Sequence, residues 1–309
     1  MRKRLLIGLL FIFVLTYMKS QQISMDFSKF AGKSYDFIIF QGDHQELVHK
    51  GIIPNDGKFI LNIPAKYGNY IGMSRWLITG TSEGGGLDMF IPGHDFSVIC
   101  TEALPNEKNI IYTNNTGNAN LNTLYKLQEG ILSRYQSMQL AIRSYDSFSK
   151  HYSLFKREFE KQRNDYAVFQ EKLRHKSDYI SSLLSIINIT RGMSGILSDR
   201  EEERSSNISQ YISQHLDWNT LYTSGYWTSV IEVWVGIHTN TLKDQSQFIS
   251  EFKFISDKIQ SSKLYTDFCG RVLYYLKQYE KKDYIGDIIP IVNVSGKYDG
   301  SLLSYIQKQ

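Results

Sequence analysis

Proline is absent from Ala119 to Ile289, and this gap constrains the fold more than any motif does. An interior proline removes a backbone donor and clashes with the preceding turn, so a long proline-free stretch permits nearly continuous helix. The hydrophobic period agrees. Leu121, Leu124, Tyr125, Gln128, Leu132, Tyr135 and Met138 recur at three- and four-residue intervals, as one face of a helix requires. Asn118 or Asn120 could cap that helix. A second helical run follows, with Phe148, Tyr152, Phe155 and Phe159 on one stripe. After the break at "RGMSGILSDREEERSSNIS", helices are expected over roughly 206–216, 219–238, 243–260 and 263–280.

Four of the five prolines lie in the front of the chain, which reads differently. From Ile23 to about Tyr112 the runs are short and bounded by turn residues, as in "YDFIIFQG", "GMSRWLITG" and "LDMFIPGHDFSVIC". Asn55-Asp56-Gly57 between two apolar runs predicts a hairpin, because Asp-Gly readily supplies the positive φ of a tight turn. Strands first and helices after, segregated along the chain, argue against a parallel βαβ sheet. The fold class expected is therefore α+β, a small antiparallel β-sandwich over 21–113 followed by an all-helical domain over 118–285. The last stretch, 286–309, is expected as a tail that adds a short strand or packs extended.

The first twenty residues carry Arg2, Lys3 and Arg4 ahead of an unbroken apolar run from Leu5 to Leu15. That run suits a signal-peptide core and is short of the roughly 17–25 residues that span a bilayer. Export with cleavage near Ser20 is expected, leaving no integral span. It also changes the charge argument. The whole chain has 35 Lys+Arg against 31 Asp+Glu, but residues 1–20 hold four of the basic residues and no acidic one. The remainder balances, so no nucleic-acid partner is indicated.

The sequence holds no recognisable catalytic, cofactor-binding or metal-ligating constellation. Gly84-Gly85-Gly86 lacks the Lys-Ser/Thr of a phosphate loop and reads as a strand connector. The sequence "GMSGI" fails the spacing of a nucleophile elbow. The seven histidines have neither HxH nor HxxxH spacing. Trp218, Trp227 and Trp234 could form an aromatic shelf for a sugar, although packing between helices is the plainer reading. Cys100 and Cys269 adjoin apolar stretches and read as buried thiols, while in an oxidising compartment they could form one long-range disulfide.

The order of parts, with "NDGKFILNIP" in the β half, "HLDWNTLYTSGYWTSVIEVW" in the helical half and "VLYYLKQYEKKDYIGDIIPIVNVSGKYDG" near the end, resembles the non-catalytic front of exported thioredoxin-like proteins of Bacteroidetes, of the TlpA/ResA type. The likeness spans most of residues 23–300. In that family the redox chemistry resides in a Cys-x-x-Cys within a thioredoxin fold. Neither Cys100 nor Cys269 matches a position of that motif, so no catalytic residue carries over. The resemblance implies a relative that lacks the thioredoxin domain, or a version shortened before it. The function expected is an exported, non-enzymatic binding module with a protein partner in the cell envelope, accessory to thiol–disulfide proteins there and using no cofactor. The rivals are a hydrolase with its site in the cleft between the β and α halves, and a carbohydrate-binding protein using the tryptophans.

Overall fold

Alternation at the start of the chain buries Gln21, Ile23 and Met25 on one face of a strand and leaves Gln22 and Ser24 exposed. The computed structural model describes residues 20–82 and 84–298. The signal peptide expected over residues 1–20, apart from Ser20, and the last part of the tail, 299–309, lie outside them. Among the described residues eight strands come first and nine α-helices follow. One sheet has the order β4 (Lys58–Ile63), β1 (Gln21–Asp26), β7 (Phe96–Ile99), β8 (Ile111–Thr113). The other runs β3 (His44–Ile52), β2 (Ser34–Gln41), β5 (Ile71–Thr79), β6 (Gly86–Pro92). The two sheets share one core, with Ile23, Leu61 and Val98 from the first meeting Phe37, Ile39 and Met89 from the second. Pairing is antiparallel except between β1 and β7, which run parallel from Ile23 opposite Phe96 to Asp26 opposite Ile99.

The expected hairpin at Asn55–Gly57 is not one. The turn forms, with Gly57 N–H donating to the Pro54 carbonyl at 2.9 Å, but it carries the chain from one sheet to the other. Buried Ile53 wedges between the sheets, tied by its backbone to Lys33 and Gly32, and Pro54 ends the β3 ladder. Gly57 has φ +76°, and a Cβ there would stand 2.3 Å from the Ser28 Cα. Only glycine allows both the conformation and that approach. A tight hairpin forms instead at Gln41–His44, closed by Gly42 and Asp43.

The helical half opens with α1 (Gly117–Ser144) and α2 (Lys150–Lys176), an antiparallel pair in which Gln128 meets Gln170 and Tyr135 meets Phe159. Neither expected asparagine caps α1. Asn115 Oδ1 accepts from the Gly117 N–H, while Asn118 is spent on the free edge of β6, accepting from Phe90 N–H at 2.9 Å and donating to the Asp88 carbonyl at 3.1 Å. Asn115 adds a bond to the Phe90 carbonyl. The start of α1 is thereby fixed to the sandwich.

Next come α3 (Tyr179–Thr190), α4 (Glu201–Gln214), α5 (Trp218–Tyr222), α6 (Trp227–Gly236), a π-helical turn (Ile237–Leu242), α7 (Gln245–Lys258), α8 (Ser262–Gln278) and α9 (Lys282–Ser295). The helix expected over 219–238 is thus broken at Thr223–Tyr226. The break serves the sandwich, because the Tyr222 and Thr223 carbonyls accept from Gly42 N–H at 2.7 Å and Met73 N–H at 2.9 Å. The expected strand or extended tail after residue 285 is a helix instead. Ile285, Ile288 and Val292 fall on one buried face, and Pro290 is tolerated on the exposed side. The disulfide held open from the sequence is not formed. Both cysteines are free, Cys100 in the sandwich core and Cys269 in the helical core.

Candidate functional site

Among the described residues three places stand out for their polar or cavity-lining groups, and each is built by different elements. The first is the seam between the halves, where the sequence reading put the rival hydrolase. Arg271 on α8 binds Asp43 of the β2–β3 hairpin through Nη2 at 2.7 Å and Nε at 2.9 Å, and Thr228 donates to the same carboxylate. Tyr222 OH donates to Asp267 at 2.8 Å, and Lys263 reaches Gln41. Burial, with Asp43 nearby, pushes the Asp267 carboxyl up against the lowering effect of the Tyr222 bond. These groups consume one another's hydrogen-bonding capacity across the seam. Among the described residues no group of three or more His, Cys, Asp or Glu is arranged to hold a metal.

The second place lies inside the helical core. Ser209 on α4, Trp234 on α6, His238 on the π-helical turn and Glu251 on α7 converge although they are spread over 43 positions. Ser209 Oγ lies 2.7 Å from His238 Nε2 and 2.6 Å from Glu251 Oε2, and Trp234 Nε1 donates to that same oxygen at 2.9 Å. Gln247 donates to the other carboxylate oxygen. Burial raises the Glu251 carboxyl, but hydrogen bonds from His238, Ser209 and Trp234, together with the His238 ring's charge, hold it at about 2.

The residue types suggest a hydrolytic triad and the geometry denies it. A relay needs serine and carboxylate on opposite imidazole nitrogens. Here both meet Nε2 (Glu251 Oε2 at 3.1 Å), while Nδ1 is buried without a partner. Ser209 and His238 are completely buried, so no substrate reaches them. The cluster is a clamp that fixes three helices. Sequence reasoning missed it because no local spacing links its members.

The third place is an apolar cavity of about 690 Å³ at the sandwich edge where β6 and β8 end their sheets. Strand β8 has only three residues and is reached by the irregular loop 103–110, so the sheets stay open here. Phe27, Phe30, Trp76, Ile78, Leu87 and Tyr112 line it, with Gly84–Gly86 on one rim and exposed Leu104 on another. Asn118 on the first turn of α1 closes one wall, next to the Tyr112 hydroxyl. The loop wall is held in place by Asn109, whose side chain bonds the Asn106 N–H and the Leu104 carbonyl, and by the exposed Lys126–Glu107 pair at 2.8 Å. Burial raises the Tyr112 phenol, and the Trp76 indole N–H has no partner. The glycine run read as a plain connector is therefore part of a pocket rim. The volume and lining match a site for a small molecule.

Trp218, Trp227 and Trp234 are buried in the helical core, with Trp227 and Trp234 at 1% and 0% exposure. The aromatic-shelf reading is thereby removed. Of the four Asn-x-Ser/Thr positions, Asn188 is buried in an amide network with Gln128 and Gln170. No protein-family model, curated protein or solved structure matches the chain.

Proposed function

We propose that this is an exported, envelope-associated binding module, with the sandwich-edge cavity as its ligand site and no turnover chemistry of its own. The observation that carries the reading is the cavity: about 690 Å³, lined mainly by aromatic and aliphatic side chains and rimmed by glycines. Its ligand is a small, largely apolar molecule that meets the Trp76, Phe27 and Phe30 rings. The resemblance to the front part of exported thioredoxin-like proteins supports the compartment and a role beside thiol–disulfide enzymes. Dithiol exchange by this chain itself is disfavoured, because burial pushes the Cys269 thiol up to about 12 and a nucleophilic thiolate needs the opposite shift.

Titration of the purified chain with an apolar fluorophore such as Nile red tests the site. Saturable one-site binding is expected, weakened at least about tenfold, or 1.4 kcal/mol, by Leu87→Trp, which fills the cavity. Equal binding by the two chains with matching melting curves would remove the pocket from the proposal. Turnover of a dithiol substrate would remove the non-enzymatic reading.

A further inference from the structure

We propose that the tip of the α1–α2 hairpin docks the protein onto an anionic phospholipid surface. From Gln136 to Glu158 no residue is buried, whereas Leu132, Tyr135 and Phe159 just inside belong to a core cluster. Half-buried Met138 and Ile142 still pack against that cluster, and the turn at 145–149 lies beyond them.

The tip is ordered by its own contacts. Asp146 Oδ1 accepts from the Phe148 N–H at 2.8 Å, and its carbonyl accepts from the Ser149 N–H at 2.9 Å. The Tyr145 ring packs on His151 and Phe155, with centroids at 5.7 and 5.1 Å. This tight turn lifts Phe148 out of the stripe in which the helical period placed it and leaves it 97% exposed. Leu140, Tyr145 and Leu154 are exposed around it.

The charges flanking these apolar groups identify the occupant. Arg143, Lys150, Lys156 and Arg157 outnumber two carboxylates, Asp146 and Glu158, within residues 136–158. Among the described residues none of the four cations is ion-paired. Beyond residue 20 the sequence carries equal numbers of acidic and basic side chains, so this excess is local. Exposed aromatic and aliphatic groups ringed by Lys and Arg match an acidic headgroup layer over apolar tails, with the long basic side chains reaching back to the phosphates.

The test uses the full chain carrying Ser147→Cys labelled with an environment-sensitive fluorophore. The two native thiols are buried, so labelling is selective. A reporter on the tip is needed because the apolar run Leu5–Leu15 can bring the chain to a membrane by itself. Vesicles of phosphatidylglycerol and phosphatidylethanolamine should shift the emission to the blue, high salt should reverse the shift, and pure phosphatidylcholine should give none. Phe148→Ser should abolish it, and each of Lys150→Glu and Lys156→Glu should weaken vesicle affinity about fivefold or more. Melting curves should stay at the wild-type value, since Phe148, Lys150 and Lys156 belong to no core cluster. Absence of a shift with anionic vesicles, or an equal shift with phosphatidylcholine, overturns the proposal and leaves a protein partner as the occupant of the tip.

Discussion

The sandwich and the helical half handle polarity in opposite ways. The sandwich interior is built of apolar side chains from two sheets, satisfies its backbone through strand ladders, and leaves an open apolar cavity at one edge. The helical half buries Ser209, His238, Gln128, Gln170 and Asn188 and closes over them. Strand pairing already fixes register in the sandwich. Helices can rotate and slide against one another, and a polar cluster with most of its atoms paired limits that freedom, because any slip leaves further buried groups unsatisfied. A cavity can accept a guest; a clamp can only hold.

That contrast can be broken first at the helical core. Trp227 packs edge-on against Trp218 and Tyr222, at 5.9 and 5.3 Å between ring centroids. Trp227→Ala should cost about 3–5 kcal/mol. Denaturant unfolding followed by far-UV circular dichroism should show the helical signal lost first, with strand signal persisting. A single unchanged transition would mean that the two halves unfold as one.

Glu251 gives the next largest effect and carries a pH signature. Its folded carboxyl sits at about 2 against 4.5 ordinarily, so the ionised form stabilises the fold fully above about pH 4.5. That contribution, on the order of 3 kcal/mol, is lost as pH falls through 4.5 towards 2. Glu251→Gln should be less stable than wild type at pH 7 and should flatten this acid limb, which urea unfolding at a series of pH values measures. An acid limb of wild-type size in the variant would place its origin elsewhere.

The smallest effect sharpens the comparison at the seam. Arg271 and Asp43 are about a fifth to a quarter exposed, so Asp43→Ala should cost only about 1 kcal/mol. Its readout is the spacing between sandwich and helical transitions, which should widen as the halves uncouple. An unchanged spacing would assign the coupling to the other bonds between the halves, the backbone bonds from Gly42 and Met73 among them.

The expectations that held rest on short-range patterns. The Leu121–Met138 period marks α1, the short runs "YDFIIFQG" and "GMSRWLITG" mark strands, and the change of period near residue 115 marks the passage from β to α. Of the expectations that failed, most depended on a distant partner and one on a local turn. Asp-Gly made its turn at 56–57, but Ile53 and Pro54 decided which sheet came next. Asn118 had the chemistry of a helix cap and the edge of β6 claimed it. Phe148 fitted a helical stripe and a three-residue Asx turn expelled it.

By itself the sequence determined the α+β class, with strands before helices, because side-chain period and proline placement are properties of neighbouring residues. Tertiary structure alone decided the rest. It split α5 from α6 by drawing the Tyr222 and Thr223 carbonyls to the sandwich, and it made a helix of the segment around Pro290 by offering Ile285, Ile288 and Val292 a core to enter. It brought Ser209, His238 and Glu251 onto one nitrogen, and it left the edge between β6 and β8 open as a cavity. These outcomes depend on which groups meet across tens to nearly two hundred residues of chain, and no local pattern records such a meeting.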